Sequence, residues 1–176
     1  MIFCQGRGGI AAERVVSFHL SIRAIPPGEV MDKHQNSLEN GPGYAVWIPE
    51  STPNDQKVTI ERRENDCVHI MHAESPDQSE LYFEVAVYPS IVDHKLLAGQ
   101  QQEFLRNNSS DGIMTEIFQG IVGNHSGTTF DFRGTLQGKW KERRFLFANS
   151  SKRTFRIVHD PTSSVNLEVL MSLKLL

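Results

Sequence analysis

The sequence has few of the features that mark a specialised class of protein. Its two cysteines, Cys4 and Cys67, lie far apart and fit no paired spacing, so we expect no disulfide framework and a reducing, cytoplasmic location. No segment approaches the roughly 18 consecutive apolar residues of a membrane span, and the first residues do not resemble a signal peptide. A net charge of −3 is too balanced for a protein that coats nucleic acid.

Motifs for catalysis and metal binding are also missing. Ser126 directly follows His125, and adjacent side chains of a strand point to opposite faces, so the two cannot form a nucleophile–base pair. Cys67 and His69 would share one face of a strand while His72 would lie on the other, which argues against a zinc site. We therefore predict no catalytic residue, no cofactor and no metal.

The chain divides into two parts of different texture. Residues 1–42 are predicted to be a poorly defined N-terminal extension, within which Met31 is a candidate native start. Residues 43–176 are predicted to form a single domain, which is an ordinary domain size. Apolar residues that alternate between turn signals predict strands at 44–48, 57–63, 67–73, 81–88, 114–122, 127–133, 139–148 and 152–159.

Two segments instead repeat apolar residues at helical spacing. Asp93 is the predicted N-cap of a helix of about 14 residues that ends near Asn107. A terminal helix follows Pro161, with Thr162 or Ser164 as its cap. The turns are too short for βαβ crossovers, so the pattern predicts an α+β fold with helices packed against an antiparallel sheet.

Two stretches of this domain resemble PsbP-like proteins. Phe155–Pro161, the Ser- and Asn-rich residues after it and Val169–Leu175 look like the C-terminal strand and helix of that superfamily, which includes the bacterial DcrB-like proteins. Gly120–Phe132 is similar to the middle of the family, with a strand, a glycine turn and a Phe-x-Phe strand. The resemblance implies an α/β/α sandwich with a central antiparallel sheet flanked by helices. It also implies action by binding another protein, and it supplies no catalytic residue.

Basic side chains concentrate in one predicted hairpin. Between Arg133 and Arg156 eight basic residues stand against one acidic residue, Glu142. With an interleaved tryptophan, the candidate partner-binding residues are Arg133, Lys139, Trp140, Lys141, Arg143, Arg144, Lys152, Arg153 and Arg156. Adjacent strands would pool these side chains into a positive surface suited to an acidic protein face. The other interpretation is a solvated sheet edge whose charges prevent aggregation.

The sequence therefore favours a non-catalytic protein-interaction module that uses this basic surface. A nucleic-acid partner is less favoured, because the total charge is negative. The alternative is a small-ligand-binding or hydrolytic domain with a pocket between sheet and helix. The oligomeric state is not determined by these patterns.

Overall fold

The computed structural model describes residues 35–176, which form an α+β fold of mostly antiparallel strands with two helices. The expectations for residues 1–34, including the start at Met31, lie outside the described residues. The elements are β1 (Asn36–Gly41), β2 (Tyr44–Pro49), β3 (Thr59–Asn65), β4 (Val68–Glu74), β5 (Tyr82–Tyr88), α1 (His94–Asn108), β6 (Ile113–Met114), β7 (Phe118–Val122), β8 (His125–Leu136), β9 (Lys139–Asn149), β10 (Thr154–His159), α2 (Ser164–Ser172) and β11 (Lys174–Leu175). Neither helix in this range is long and apolar enough to cross a membrane.

The strands form two antiparallel sheets. The larger has eight strands, in the order β3-β4-β5-β10-β9-β8-β6, and β7 also pairs with β8. The smaller has the order β1-β2-β11. Strand β10 lies between β5 and β9, with Ile157 opposite Val85 on one side and Leu146 on the other. This placement joins the β3–β5 meander to the β8–β10 strands in one sheet.

Side-chain alternation gives the larger sheet two apolar faces. On one face α1 packs against β8 and β9, where the rings of Phe130 and Phe145 stack with centroids 4.9 Å apart. On the other face α2 and the smaller sheet cover the centre, and Val46 and Val169 join the buried cluster around Phe83. One helix therefore lies on each face, and the smaller sheet completes the second layer.

Capping side chains set where the helices begin. The Asp93 carboxylate accepts the backbone N–H of Lys95 at 2.8 Å, which confirms the predicted N-cap of α1. The cap of α2 is Ser163, whose hydroxyl accepts the N–H of Asn166, so the prediction of Thr162 or Ser164 was wrong. Thr162 instead donates its N–H to the Asp160 carboxylate in the preceding turn.

The strands differ from the predicted pattern in three places. Strand β1 lies within residues 1–42, which the sequence analysis assigned to the extension, and β11 follows α2 where a longer helix was expected. Both strands pair with β2, a contact that their own residues do not reveal. The predicted strand 114–122 is split into β6 and β7. Thr115 interrupts it, because its hydroxyl accepts the N–H of Asp131 and its carbonyl accepts the Gln102 side chain, each at 2.9 Å.

Gly127 on β8 permits the close approach of β9, because a Cβ at this position would overlap the carbonyl oxygen of Phe147. We expect Gly127→Ala to lower the free energy of unfolding by about 1–3 kcal/mol, since backbone cannot move aside easily. Gly99→Ala on α1 is the matched control. Its methyl group meets nothing within 4 Å, so a gain of about 0.5–1 kcal/mol is expected. Urea unfolding measures both, and equal effects of the two substitutions would contradict the close approach.

Candidate functional site

The nine candidate residues are spread along the hairpin strands from one turn to the other. Strand β9 has 11 residues, which at roughly 3.3 Å per residue separates its two ends by roughly 30 Å. Arg133, Lys139, Trp140 and Lys141 lie at or near the β8–β9 turn, Arg143 and Arg144 lie near the middle of β9, and Lys152 and Arg153 lie at the β9–β10 turn. Arg156 lies on β10, opposite Phe147 of β9. The residues at the two turns are therefore far apart, and neighbouring residues such as Arg143 and Arg144 lie on opposite faces of the sheet.

Arg144 is held by a carboxylate on the neighbouring strand. It lies directly opposite Asp131 in the β8–β9 register, and its Nε and terminal nitrogen donate to the two carboxylate oxygens at 2.7 and 2.8 Å. These hydrogen bonds to the Asp131 carboxylate raise the pKa of Arg144. This bidentate geometry is a strong form of ion pair. Arg144 therefore ties β9 to β8 and offers little free charge to a partner.

Arg143 is a buried anchor. Its side chain is only 5% exposed, and its guanidinium carbon lies 3.8 Å from the centroid of the Tyr82 ring. The guanidinium also donates to the carboxylate of Asp160 at 3.4 Å and to the side-chain oxygen of Gln78 at 3.2 Å. Burial lowers the pKa of Arg143 and raises that of Tyr82. These contacts join β9 to β5 and to the loop before α2.

Two further arginines also have carboxylate partners. Arg156 donates to Glu84 at 2.7 Å and to the side-chain oxygen of Gln101 on α1 at 2.8 Å. The Nε of Arg133 lies 3.4 Å from the Oε2 of Glu142 on the neighbouring strand. The arginines of the hairpin therefore neutralise acidic residues from several elements.

The tip of the β8–β9 hairpin retains exposed basic and aromatic side chains. We define the hairpin tip as residues 136–141. Its turn residues Gln137 and Gly138 both have positive φ, 52° and 76°, which closes a tight turn. Lys139 is exposed and Trp140 is 59% exposed. Lys141 donates to the side-chain oxygen of Gln78, and burial followed by the charge of Arg143 lowers its pKa.

A cleft of about 350 Å³ adjoins the hairpin tip. Its walls come from the β4–β5 turn, from β9 and from the loop before α2, and they carry charges of both signs: Asp77, Glu142 and Asp160 against Lys141 and Arg143. A second cleft, of about 560 Å³, lies at the other end of the sheet beside Arg153. Neither of these two clefts lies between the sheet and a helix, where the alternative interpretation placed a pocket.

His69 and His72, which the sequence analysis considered as zinc ligands, contact different aromatic rings. His69 Nε2 lies 3.3 Å from the hydroxyl of Tyr44, whose pKa burial raises to about 12. The ring of His72 lies 4.9 Å from that of Tyr82, on the opposite face of β4. Cys67 is exposed in the turn before β4. Within residues 35–176 no three His, Cys, Asp or Glu side chains are arranged to hold a metal ion.

Gln78 and His159 are the site residues that the sequence analysis missed. Gln78 has a φ of 59°, and its side-chain oxygen accepts from both Lys141 and Arg143. The Ser-Pro-Asp sequence before it signals a turn but not these contacts. His159 is fully buried at the end of β10, opposite Arg144. Its Nδ1 lies 3.1 Å from the carbonyl of Asp160, to which the neutral ring can donate.

The fold is similar to known structures, although the sequence matches no protein-family model and no curated protein. Cyanobacterial PsbP from Synechocystis has a TM-score of 0.53 and 9% identity, over 86% of this chain and 99% of that one. A protein of unknown function from Pseudomonas aeruginosa has a TM-score of 0.38 and 13% identity, and the match covers 76% of this chain and 86% of that one. A protein from Bacteroides thetaiotaomicron has a TM-score of 0.46 and 10% identity, and the match covers 81% of this chain and 48% of that one. The first likeness shows a PsbP-like fold, as the resemblance predicted, and at this identity it shows the fold alone.

We expect His159 to make stability depend on pH. Burial lowers its pKa in the folded protein below the ordinary value of 6.5. Below that pH the unfolded chain binds the proton more readily, so stability that is complete above about pH 6.5 falls as the pH drops toward the folded pKa. His159→Asn keeps a donor for the Asp160 carbonyl and should show a weaker pH dependence. Urea unfolding over a pH series compares the two, and parallel curves would contradict a neutral buried His159.

Proposed function

We propose that this PsbP-like domain is a non-catalytic protein-interaction module that docks through the hairpin tip. The exposure of Trp140 carries the proposal. Its side chain is 59% exposed, whereas large aromatic side chains gain most when they are buried, and tryptophan is enriched among residues that dominate binding energy. Alternation along β9 places the indole on one face of the strand and Lys139 and Lys141 on the other, so the end of the hairpin offers an apolar contact on one face and cations on the other.

The hairpin tip is also held rigidly, which favours binding. Antiparallel pairing continues to Leu136 and Lys139 at its base, and Lys141 is tethered to Gln78 on the β4–β5 turn. Beneath it Arg143 is anchored against Tyr82. A side chain presented by an ordered element loses less conformational entropy on binding than one on a loose loop.

The charge of the hairpin tip favours an acidic protein surface as the partner. Because Arg133, Arg143, Arg144 and Arg156 are paired with carboxylates, the basic charge that the hairpin tip offers to a partner comes mainly from Lys139 and Lys141. A phosphate backbone would also pass the carboxylates of Glu142 and Asp160 in the adjoining cleft, which disfavours nucleic acid. A protein can place single acidic side chains beside the lysines and an apolar residue against Trp140.

The proposal also covers the layer arrangement, the location and the alternative function. We interpret the layers of the fold as an α/β/α sandwich in which the smaller sheet shares one outer layer with α2. A cytoplasmic location rests on the sequence argument that the two cysteines fit no paired spacing. The small-ligand alternative is supported by the cleft of about 350 Å³ beside Trp140, although a lining of mixed charge is unlike the mainly apolar lining of most ligand sites.

Affinity capture with the full chain as bait tests the proposal. We expect the wild-type chain to capture a partner protein. Trp140→Ala and Lys139→Glu should each lower the affinity for that partner by about tenfold or more, so that capture is lost. Lys152→Glu is the matched control, because it reverses an exposed lysine at the far end of β9 and should retain the partner. Arg143 and Arg144 are unsuitable for charge reversal because both hold the fold together.

Titration of the captured protein against each variant gives the affinities. Equal binding by wild type, Trp140→Ala and Lys139→Glu would contradict docking through the hairpin tip. Circular dichroism melting of each variant verifies that the fold is intact.

A further inference from the structure

The two edges of the larger sheet differ in charge. Strand β3, at one edge, carries the run Glu61-Arg62-Arg63-Glu64. Strand β7, at the other, has the sequence Phe-Gln-Gly-Ile-Val, with no charged residue. Charged side chains on an edge strand discourage pairing with another chain, and an uncharged apolar edge invites it. The β3 edge is therefore protected and the β7 edge is not.

The outer side of β7 has both free backbone groups and exposed apolar side chains. Its inner side pairs with β8, and no strand within residues 35–176 pairs with its outer side. Phe118 is 46% exposed and Ile121 72%, and alternation places them on opposite faces. Ile113 on the adjoining β6 is 70% exposed. Exposed apolar groups of this kind, placed together, mark an interaction site.

We propose that two copies of this chain pair through β7, antiparallel about a two-fold axis at Gly120. Gly120 is the central residue of β7, so this register places Phe118 opposite Val122 of the second copy and Gln119 opposite Ile121. Val122 already belongs to the buried core, and the facing Phe118 would extend that core across the axis. The same residues serve both partners, as a two-fold interface requires.

The two-fold register itself favours a second copy as the occupant, because it sets the exposed Phe118 against Val122 and brings no like charges together. No like charges meet along the paired strands, since β7 has none. Antiparallel pairing also brings Glu116, just before β7, alongside the turn before His125 of the second copy. The same operation on β3 would set Arg62 opposite Arg62, a like-charge pair. In this centred register the β3 edge therefore meets a like-charge pair that the β7 edge does not.

This inference is independent of the proposed function. Strand β7 pairs with residues 125–129 of β8, whereas the hairpin tip begins at the far end of that strand. A dimer through β7 would leave both hairpin tips free.

Sedimentation velocity of the full chain over micromolar to millimolar concentrations tests the proposal. We expect a concentration-dependent monomer–dimer equilibrium, and we expect Ile121→Lys to weaken it at least about tenfold by placing like charges at the edge. Ile91→Lys is the matched control, since Ile91 is also exposed, at 59%, and lies outside the strands. Because Ile121 points to solvent, its replacement should leave the melting temperature unchanged.

Cysteine cross-linking tests the register. In a Cys4→Ser, Cys67→Ser background, a mixture of Gln119→Cys and Ile121→Cys chains should form disulfide-linked dimers more readily than either variant alone, because these positions face each other. A wild-type chain that stays monomeric throughout would overturn the proposal. So would a dimer that Ile121→Lys leaves unchanged, or one in which the mixture cross-links no better than the single variants.

Discussion

The insertion of β10 between β5 and β9 is the constraint on which the rest of the structure depends. It brings together strands separated along the chain by α1 and by β6 to β9, so closing this contact is costly in chain entropy. Burial on both sides of the strand offsets that cost. Phe155 and Ile157 join one apolar cluster and Val158 joins the other. Without β10 the two halves of the sheet would each leave an apolar edge in water.

The same long-range pairing changes the role of the basic residues. In the sequence they form a run with a single acidic residue, but in the folded chain Arg144 meets Asp131 and Arg156 meets Glu84. Charge density along a chain does not measure the potential at a surface, because neighbouring strands supply the opposite charges. Arg143 also has a structural role, since it is buried against Tyr82 and links β9 to β5 and to the loop before α2. Of these basic and aromatic residues, Lys139 and Trp140 stay exposed where the hairpin tip ends the sheet, and Lys152 stays exposed at the opposite turn.

Strand β8 connects the β7 edge of the larger sheet to the hairpin tip. One half of it supports β7, and the other half leads to the hairpin tip. Gly127 lets β9 approach the first half closely, because a Cβ there would overlap the Phe147 carbonyl oxygen. The uncharged edge and the exposed tryptophan therefore occupy separate parts of one rigid ladder, and contact at one need not block the other.

Local signals were enough to predict several elements. Alternation predicted the β9–β10 hairpin, and the helical spacing after Asp93 predicted α1 with its correct cap. The contacts between elements could not be predicted in this way: β1 and β11 flank β2, Thr115 breaks a strand, and carboxylates of other strands pair with the arginines. Alternation, capping and turn preferences act over a few neighbouring residues, so they can be recognised in the sequence. Strand partners and ion pairs depend on contacts between distant residues, whose energies arise only when the sheet has formed.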